Sequence, residues 1–226
     1  MIYLTGDTHN MIDGGKLFRA PYIKEGDYLI VCGDFGFIWA TNPKDGEELN
    51  TLRKLERLPY TILFIDGNHE NFDRLFSNEF KLVDMFGSQV RQIRSNIYHL
   101  QRGERYIIEG HSFLTIGGAM SIDKYRRTEH HSWWSQELLS KADEDKIFRT
   151  IQQNSSFDYV LSHTAPISIA EKIFGDKINF AGFALTQSCK TLCHCFLSNC
   201  CHRYPLNVGF VDITILKSSL SQNMGK

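Results

Sequence analysis

A short apolar run followed by a glycine-led polar turn occurs three times near the start of the chain, and this repetition constrains the fold most. The apolar runs are residues 2–4, 28–32 and 61–65, and the turns that follow them are residues 6–10, 33–36 and 67–70. Short runs of this kind predict buried strands, and a glycine lets the chain turn sharply where each strand ends. A helical or loop segment returns to the next strand each time. The pattern therefore predicts βαβαβ units, with a parallel sheet and the polar turns at one edge.

The polar turns carry side chains that bind metals or move protons. In chain order these residues are Asp7, His9, Asp34, Asn68, His69 and Glu70. Asp7 and His9 are two residues apart, so on an extended backbone they point the same way and offer a carboxylate and an imidazole to one ion. In open α/β sheets, ligands bind at the carboxyl ends of the strands, where all three turns are expected. One such turn alone is also compatible with a polar helix cap, but the recurrence favours a site.

A histidine follows one further predicted strand, since His163 comes directly after residues 158–162, whose centre is apolar. A lone histidine at the end of a strand is more often a hydrogen-bonded structural residue. Here it repeats the pattern of the three polar turns and completes that set of candidate site residues. Between residues 97 and 116, three short runs separated by glycine and charged residues predict antiparallel hairpins, so the sheet is expected to be mixed. The spacing of apolar residues predicts helices over residues 45–58 and 135–153.

A polar and basic loop follows the predicted strand that ends near Gly117. It contains Ser121, Asp123, Arg126 and Arg127. Guanidinium groups bind phosphate through paired hydrogen bonds, but arginines in loops are commonly just solvated. Both interpretations stay open at this point.

The composition narrows the classes of function. The chain has 226 residues, enough for one sizeable domain, with a formal net charge of −1 and a pI of about 6.7. A chain so close to neutrality lacks the electrostatic footprint of a nucleic-acid-binding protein, so a nucleic-acid partner is disfavoured. No apolar run reaches the length of a membrane span, and the first residues lack the basic and apolar regions of a signal peptide. These features predict a cytoplasmic protein without a membrane partner, and nothing in the sequence indicates an oligomeric state.

The ordered motifs resemble those of the calcineurin-like metallophosphoesterase superfamily, in particular its small bacterial and phage members. The matching segments are Gly6-Asp7-Thr8-His9, Gly33-Asp34-Phe35-Gly36, Gly67-Asn68-His69-Glu70 and Ser162-His163. The resemblance implies an α/β fold, specifically a four-layer α/β/β/α sandwich with mixed sheets and two metal ions between them. The metallophosphoesterase domain would span residues 1–175, and an atypical cysteine-rich segment would follow over residues 176–226.

The resemblance also implies a role for each matched residue. The metal ligands would be Asp7, His9, Asp34, Asn68 and His163. The first two would bind one ion, Asp34 would bridge both ions, and the last two would bind the second ion. His69 would donate a proton to the leaving group, and a neighbouring carboxylate would tune it. A hydroxide held by both metals would then attack the phosphorus of a phosphomonoester or phosphodiester.

The ligand types and the family together also predict the cofactor and the partners. Imidazole, carboxylate and amide ligands make Mn²⁺ the expected ion, with Fe, Zn²⁺ or Mg²⁺ as alternatives. The expected substrate is a phosphorylated small molecule, a nucleotide or a phosphoprotein, because the family uses one site for all of these.

The resemblance fails at the last family motif, Gly-His-x-His, which supplies ligands to both metals. After His163 the chain has only His194 and His202, and neither lies in such a motif. Five of the six cysteines fall between Cys189 and Cys201, whereas Cys32 lies alone in an apolar run and is expected to be inert packing. Three explanations of the tail stay open: a zinc-binding segment, a diverged and loosely packed end, and, as the preferred hypothesis, a frame-shifted replacement of the family's last strands. Residues 208–216 are still compatible with a terminal strand.

Two functions from different classes follow from these features. The first is a metal-dependent phosphoesterase, either fully active or weakened by loss of the last histidine motif. The alternative is a catalytically impaired relative that binds a ligand or partner through the same cleft. Access of His194 or His202 to the cleft discriminates between the two, and a nuclease is disfavoured by the near-zero net charge.

Overall fold

The computed structural model describes residues 1–164 and the strand Thr214–Lys217, which form two mixed sheets with helices outside them. The first sheet contains β1 (Ile2–Thr5), β2 (Tyr28–Cys32), β3 (Thr61–Ile65), β4 (Lys81–Met85), β5 (Ser88–Arg94) and β6 (Ile97–Leu100). Its strand order is β1-β2-β3-β6-β5-β4. The first four of these pair in parallel, and β5 and β4 are antiparallel to their neighbours.

The second sheet contains β7 (Arg105–Ile108), β8 (His111–Ile116), β9 (Tyr159–Ser162) and β10 (Thr214–Lys217), in the order β10-β9-β8-β7. The β8–β9 pair is parallel and the other two pairs are antiparallel. The described helices are α1 (Gly15–Phe18), α2 (Gly46–Glu56), α3 (Phe72–Leu75) and α4 (Lys141–Gln153).

The order of the layers follows from the alternation of side chains along the strands. One face of the first sheet packs against helical residues, in a cluster that contains Leu29, Val31, Ile62, Phe64, Leu17, Leu52 and Leu55. The other face packs against the second sheet, in a cluster that contains Ile30, Cys32, Leu63, Ile65, Tyr106, Ile108, Phe113 and Leu161. The outer face of the second sheet packs against α4 through Leu114, Ile116, Val160 and Ile147. The four-layer α/β/β/α sandwich that the resemblance implied is therefore confirmed.

The isolated cysteine of the first sheet is a core residue, as the sequence predicted. Cys32 is fully buried between the two sheets. Burial raises the pKa of its thiol to about 12, so the side chain stays protonated and unreactive.

Capping residues explain where the two longer helices begin. The Asp45 carboxylate accepts the backbone N–H groups of Glu47 at 3.0 Å and Glu48 at 2.9 Å, which starts α2. Ser140 and Asp143 form a capping box at the start of α4. The predicted start of this helix at residue 135 was therefore too early, and Ser135–Glu137 form a short 3₁₀ turn instead.

The hairpins between the two sheets differ in part from the expectation. β7 and β8 form a predicted antiparallel hairpin, but β6 lies in the first sheet, parallel to β3. The β4–β5 hairpin was not predicted. Its outer strand alternates weakly between exposed and half-buried residues, so the sequence pattern of β4 carries little strand signal.

Parallel pairing brings the ends of β1, β2 and β3 to one edge of the first sheet. The end of β9 in the second sheet reaches the same place, because His163 Nδ1 lies 3.0 Å from the backbone oxygen of Cys32. The predicted site residues therefore gather where the two sheets meet. Among the described helices, none is long and apolar enough to cross a membrane.

Most of the atypical C-terminal segment over residues 176–226 lies outside the described residues, and so do His194, His202 and the cysteine cluster. The exception is β10, which overlaps the predicted terminal strand and pairs with β9 from Thr214 opposite Ser162 to Lys217 opposite Tyr159.

Candidate metal centre

The turn after β1 lies against the turn after β2 through backbone hydrogen bonds. Asp7 N donates to Gly33 O at 3.2 Å, and His9 N donates to Asp34 O at 2.9 Å. Asp7, His9 and Asp34 have φ values of 52°, 42° and 51°, in the left-handed region that residues other than glycine rarely adopt. The expectation of an extended backbone between Asp7 and His9 was therefore wrong. Their side chains still meet, with His9 Nε2 3.2 Å from Asp7 Oδ1, because the left-handed turn folds them together.

The Asp34 carboxylate lies at the centre of the predicted site. Its Oδ2 atom lies 3.2 Å from His9 Nε2, and its Oδ1 atom lies 3.5 Å from His163 Nε2. The Oδ1 atom also accepts the backbone N–H groups of Asn68 and His69, each at 2.8 Å. One buried side chain thus contacts residues that follow β1, β3 and β9.

Two glycines make these close approaches possible. A Cβ on Gly67 would lie 2.1 Å from Asp34 Oδ1, and a Cβ on Gly33 would lie 2.3 Å from the His163 ring. Because these distances are far below van der Waals contact, a larger residue at either position would displace a predicted metal ligand. The glycines that mark the turns in the sequence therefore also leave room for the ligands.

A chain of hydrogen bonds orients the Asn68 side chain. Its Nδ2 atom donates to Ser121 Oγ at 3.1 Å, and Ser121 Oγ donates to Glu137 Oε2 at 2.6 Å. Glu137 is fully buried and also accepts the backbone N–H of Ser121 at 2.8 Å. Since the amide nitrogen donates to Ser121, the amide oxygen is left available as an acceptor or ligand atom. In the sequence, Ser121 stands out only as part of a polar loop, and Glu137 lies unmarked within a predicted helix.

The His69 ring lies against the Arg127 guanidinium. Arg127 Nη1 is 3.3 Å from Nδ1 of the ring, and Arg127 Nη2 is 3.1 Å from Nε2. Asp123 pairs with Arg127 Nη2 at 2.8 Å, which places this carboxylate beside the arginine that contacts His69. The His9 ring lies edge-on with its centroid 4.6 Å from that of His69, and Trp39 stacks with a centroid distance of 6.0 Å. These contacts surround the predicted proton donor.

The charges around Asp34 shift the pKa values of the neighbouring groups. Burial would raise the pKa of Asp34, but its hydrogen bond to His163 and the charge of that ring hold the pKa well below its usual value. Burial would lower the pKa of His163, but its hydrogen bond to Asp34 and the charges of Asp34 and Asp7 raise it to about 9. Hydrogen bonding to Asp7 raises the pKa of His9. The carboxylates therefore favour positive charge at this place, whether protons or metal ions carry it.

The environment of His69 lowers the pKa of its ring, whereas the pKa values of His9 and His163 are raised. Burial lowers the pKa of this ring, the charge of Asp34 opposes that shift, and the charges of Arg127 and His9 add to the lowering. Protonated His69 is therefore a stronger acid than an exposed histidine, which suits a group that gives up a proton.

Glu70, the last residue of the third motif, braces the turn after β2. It is fully buried, and its two carboxylate oxygens accept the backbone N–H groups of Phe35 at 2.8 Å and Gly36 at 3.2 Å. Burial raises the pKa of Glu70 well above its usual value, and the charges of Asp34 and Asp66 add to this shift. Glu70 thus fixes the backbone that carries Asp34.

A buried ion pair that no sequence pattern indicated lies next to the third turn. Asp66 Oδ2 accepts from Arg102 at 2.6 Å and 2.8 Å, and Asp66 Oδ1 lies 3.0 Å from His99 Nε2. Burial would raise the pKa of Asp66, but Arg102 and His99 hold it well below its usual value. Arg102 also donates to the backbone oxygens of Gln136 and Leu138. The ion pair therefore connects the turn after β3 to residues 136–138, which include the Glu137 that bonds to Ser121.

Within residues 1–164, two overlapping groups of side chains bring together atoms that are able to hold a metal ion. One group contains Asp7, Asp34 and His163, and the other contains His9, Asp34 and His69. Within each group the candidate ligand atoms lie within 4.8 Å of one another. Both groups share Asp34, and their imidazole and carboxylate donors fit a divalent first-row metal. The structure thus places four of the five predicted ligands, Asp7, His9, Asp34 and His163, around one carboxylate. Their grouping differs from the expectation, because Asp7 lies with His163 and His9 lies with His69, the predicted proton donor. Asn68 belongs to neither group and reaches Asp34 through its backbone N–H.

Comparison with known protein families agrees with this geometry. A family model described as calcineurin-like phosphoesterase matches residues 1–182 of the chain. The match covers most of the chain and includes every residue of the two candidate metal groups. No curated protein matches the sequence.

Proposed function

Because the chain belongs to the calcineurin-like phosphoesterase family, we propose that it hydrolyses phosphate esters with two divalent metal ions bound around Asp34. The observation that carries the proposal is the pair of ligand groups that overlap at this carboxylate. The proposed substrates are phosphomonoesters or phosphodiesters, on a phosphorylated small molecule, a nucleotide or a phosphoprotein.

The donor set supports the proposed metal site. The residues that would hold the ions are Asp7, His9, Asp34, Asn68 and His163, with Asp34 shared between the ions. Mixed nitrogen and oxygen donors suit Mn²⁺, which we expect first, with Fe, Zn²⁺ or Mg²⁺ as alternatives. When bound, a pair of such ions activates a water molecule and neutralises charge on the phosphoryl oxygens.

His69 is the proposed proton donor in this reaction. A water oxygen forms a new bond to phosphorus and its proton passes to solvent, while the bond from phosphorus to the leaving oxygen breaks and that oxygen takes a proton from a His69 ring nitrogen. Solvent then returns a proton to His69. Burial and the neighbouring Arg127 lower the pKa of the ring, so it releases the proton readily. A positioned proton donor of this kind contributes roughly 10²- to 10⁴-fold to the rate.

The surrounding residues keep these groups in place without substrate. Glu70 holds the turn that carries Asp34, and the Asn68 and His69 N–H groups bond directly to the Asp34 carboxylate. Trp39 stacks on His69 and contacts Trp134 edge-on, with ring centroids 5.3 Å apart. A rigid frame of this kind favours catalysis because the reacting groups need no reorganisation.

Hydrolysis of an aryl phosphate and a bis-aryl phosphate in the presence of Mn²⁺ tests the proposal. The wild-type chain is compared with Asp34→Asn and His69→Ala, and Mn²⁺ binding is measured separately by calorimetry. Asp84→Asn and His111→Ala are matched controls, because both residues are exposed and neither belongs to the candidate metal groups.

The two variants have different expected results. Asp34→Asn should lose both Mn²⁺ binding and hydrolysis, because it removes the shared carboxylate charge. His69→Ala should keep Mn²⁺ binding and lose roughly 10²- to 10⁴-fold in rate. Loss of Mn²⁺ binding in His69→Ala would instead make His69 a ligand, and a metal-loaded wild-type chain that hydrolyses neither ester would favour the impaired, ligand-binding relative.

A further inference from the structure

We propose that Arg127 binds a non-bridging oxygen of the substrate phosphoryl group and makes the site prefer phosphomonoesters over phosphodiesters. The inference rests on the proposed hydrolase function and adds a substrate class to it. Arg127 belongs to the polar loop whose phosphate contact the sequence left open, and its side chain is 17% exposed.

The hydrogen-bonding capacity of His69 leaves one N–H donor of Arg127 without an acceptor on that ring. Arg127 Nη1 and Nη2 face the two ring nitrogens of His69 at 3.3 Å and 3.1 Å. A neutral imidazole has one acceptor nitrogen and a protonated one has none, so at most one of these contacts is a hydrogen bond. At least one guanidinium N–H therefore faces the predicted proton donor without an acceptor on that ring. An anionic oxygen beside His69 would accept it.

Two anchors keep the guanidinium in this position. Asp123 Oδ2 pairs with Nη2 at 2.8 Å, and Nη1 donates to the backbone oxygen of Ser132 at 3.1 Å. The Asp123 side chain is 44% exposed, so water screens its charge more than that of the less exposed arginine. The planar guanidinium carries five N–H donors, which allows it to keep these partners and still bind a phosphoryl oxygen.

Two other cations of the described residues, Lys16 and Arg102, have their hydrogen-bond partners away from His69, whereas Arg127 contacts the His69 ring itself. Lys16 Nζ donates to the backbone oxygen of Gly6 at 2.5 Å and to the Asp13 carboxylate at 2.6 Å. Arg102 is buried against Asp66. Arg127 is therefore the cation best placed to meet a phosphoryl group beside His69.

The charge of the substrate determines the expected preference. A phosphomonoester carries nearly two negative charges at neutral pH, whereas a phosphodiester carries one and has an esterified oxygen in place of a charged one. A guanidinium binds charged phosphoryl oxygens through strong, paired hydrogen bonds. The contact with Arg127 should therefore favour the monoester.

The test compares Arg127→Gln and Arg127→Lys with the wild-type chain on an aryl phosphate and a bis-aryl phosphate, with Mn²⁺ present. Arg126→Gln is the matched control, because Arg126 is the exposed neighbour in the same loop. In Arg127→Gln, kcat/KM for the monoester should fall roughly 10- to 100-fold and that for the diester clearly less, as expected for loss of one charged hydrogen bond. In Arg127→Lys, kcat/KM for the monoester should lie between the values of Arg127→Gln and wild type, because lysine keeps the charge without the planar guanidinium.

Binding of inorganic phosphate provides a second readout that does not need turnover. The affinity of phosphate for the Mn²⁺-loaded chain should weaken in Arg127→Gln by a factor similar to the fall in kcat/KM for the monoester. The Mn²⁺ affinity and the melting temperature should stay unchanged. An equal fall in kcat/KM for the monoester and the diester would overturn the proposal, because Arg127 would then act through His69 alone. Unchanged phosphate binding would also overturn it, even if the wild-type chain hydrolysed neither ester and the proposed function itself failed.

Discussion

The Asn68 side-chain amide donates to the Ser121 hydroxyl over 3.1 Å, so the orientation of a predicted metal ligand depends on a residue 53 positions further along the chain. Ser121 is in turn fixed by Glu137, which accepts both its hydroxyl and its backbone N–H. Ser121 and Glu137 would not contact a metal themselves, but they orient the Asn68 amide so that its oxygen is available to one.

Replacing Ser121 by alanine should weaken metal binding. The amide of Asn68 then loses its partner and can rotate, and loss of such an outer contact typically costs roughly 10- to 100-fold in metal affinity. Calorimetric titration with Mn²⁺ measures the effect. Ser95→Ala is the control, because Ser95 is exposed and bonds to Glu56 at 2.8 Å. Equal Mn²⁺ affinity in the two variants would contradict the orienting role.

Adding a methyl group at Gly67 should disable the metal site. The new Cβ would lie 2.1 Å from Asp34 Oδ1, so the carboxylate must move out of the position where the two ligand groups overlap. We expect Gly67→Ala to lose Mn²⁺ binding and to melt at a lower temperature. Gly46→Ala is the opposite case, because a Cβ there meets nothing within 4 Å and Gly46 lies in α2. That variant should keep Mn²⁺ binding and gain about 0.5–1 kcal/mol in stability. Intact Mn²⁺ binding in Gly67→Ala would refute the steric argument.

The strands and turns that carry the site were predictable because their signals are local. The predicted limits of residues 28–32 and 61–65 coincide with β2 and β3. In both cases the apolar run ends at a glycine turn. Parallel pairing of the two strands is then enough to bring these turns to the same edge of the sheet. The backbone conformation within the turns was not predictable in this way, since the positive φ of Asp7 depends on contacts with the next turn.

The contacts that position the site side chains were not predictable, because they join residues far apart in sequence. His69 and Arg127 are separated by 58 positions, and Asp66 and Arg102 by 36. Each of these residues is unremarkable in its local pattern: Asp66 resembles part of a polar turn, and Arg127 resembles a solvated loop residue. Pairing of this kind depends on the packed tertiary structure, which a single sequence does not specify locally.

Removing the charge of Arg102 should destabilise the fold strongly. Among the described side chains, Arg102→Met would leave the fully buried Asp66 carboxylate with His99 as its partner, and breaking a buried pair in this way costs about 3–5 kcal/mol. Urea unfolding measures the loss. The double variant Asp66→Asn/Arg102→Met should be more stable than Arg102→Met alone, because it removes the uncompensated charge. Arg126→Gln, at an exposed position, should change stability by less than about 0.5 kcal/mol. A double variant no more stable than Arg102→Met would show that the lost contacts to Gln136 and Leu138, rather than the buried charge, dominate.

Metal binding should become tighter as the pH rises, and His163 sets the range. In the metal-free protein the charge of Asp34 and their hydrogen bond raise the pKa of His163 to about 9, against burial, from an ordinary value of 6.5. The ring must lose its proton before its nitrogen can bind a metal. Below about pH 9, Mn²⁺ should therefore displace a proton from His163, and its affinity should rise with pH and level off above that value. Calorimetry in buffers with different heats of ionisation counts the protons released.

The same shift predicts the stability of the metal-free protein. A histidine whose pKa is raised by folding contributes stability that is fully present below its unfolded pKa, 6.5 here, and is lost as the pH rises through about 9. The melting temperature of the metal-free chain should fall across this range, and His163→Asn should remove that slope. Addition of Mn²⁺ should also flatten it, because the cation replaces the proton beside Asp34. A melting temperature that did not change with pH in the metal-free wild-type chain would mean that Asp34 and His163 do not share a proton-linked ion pair.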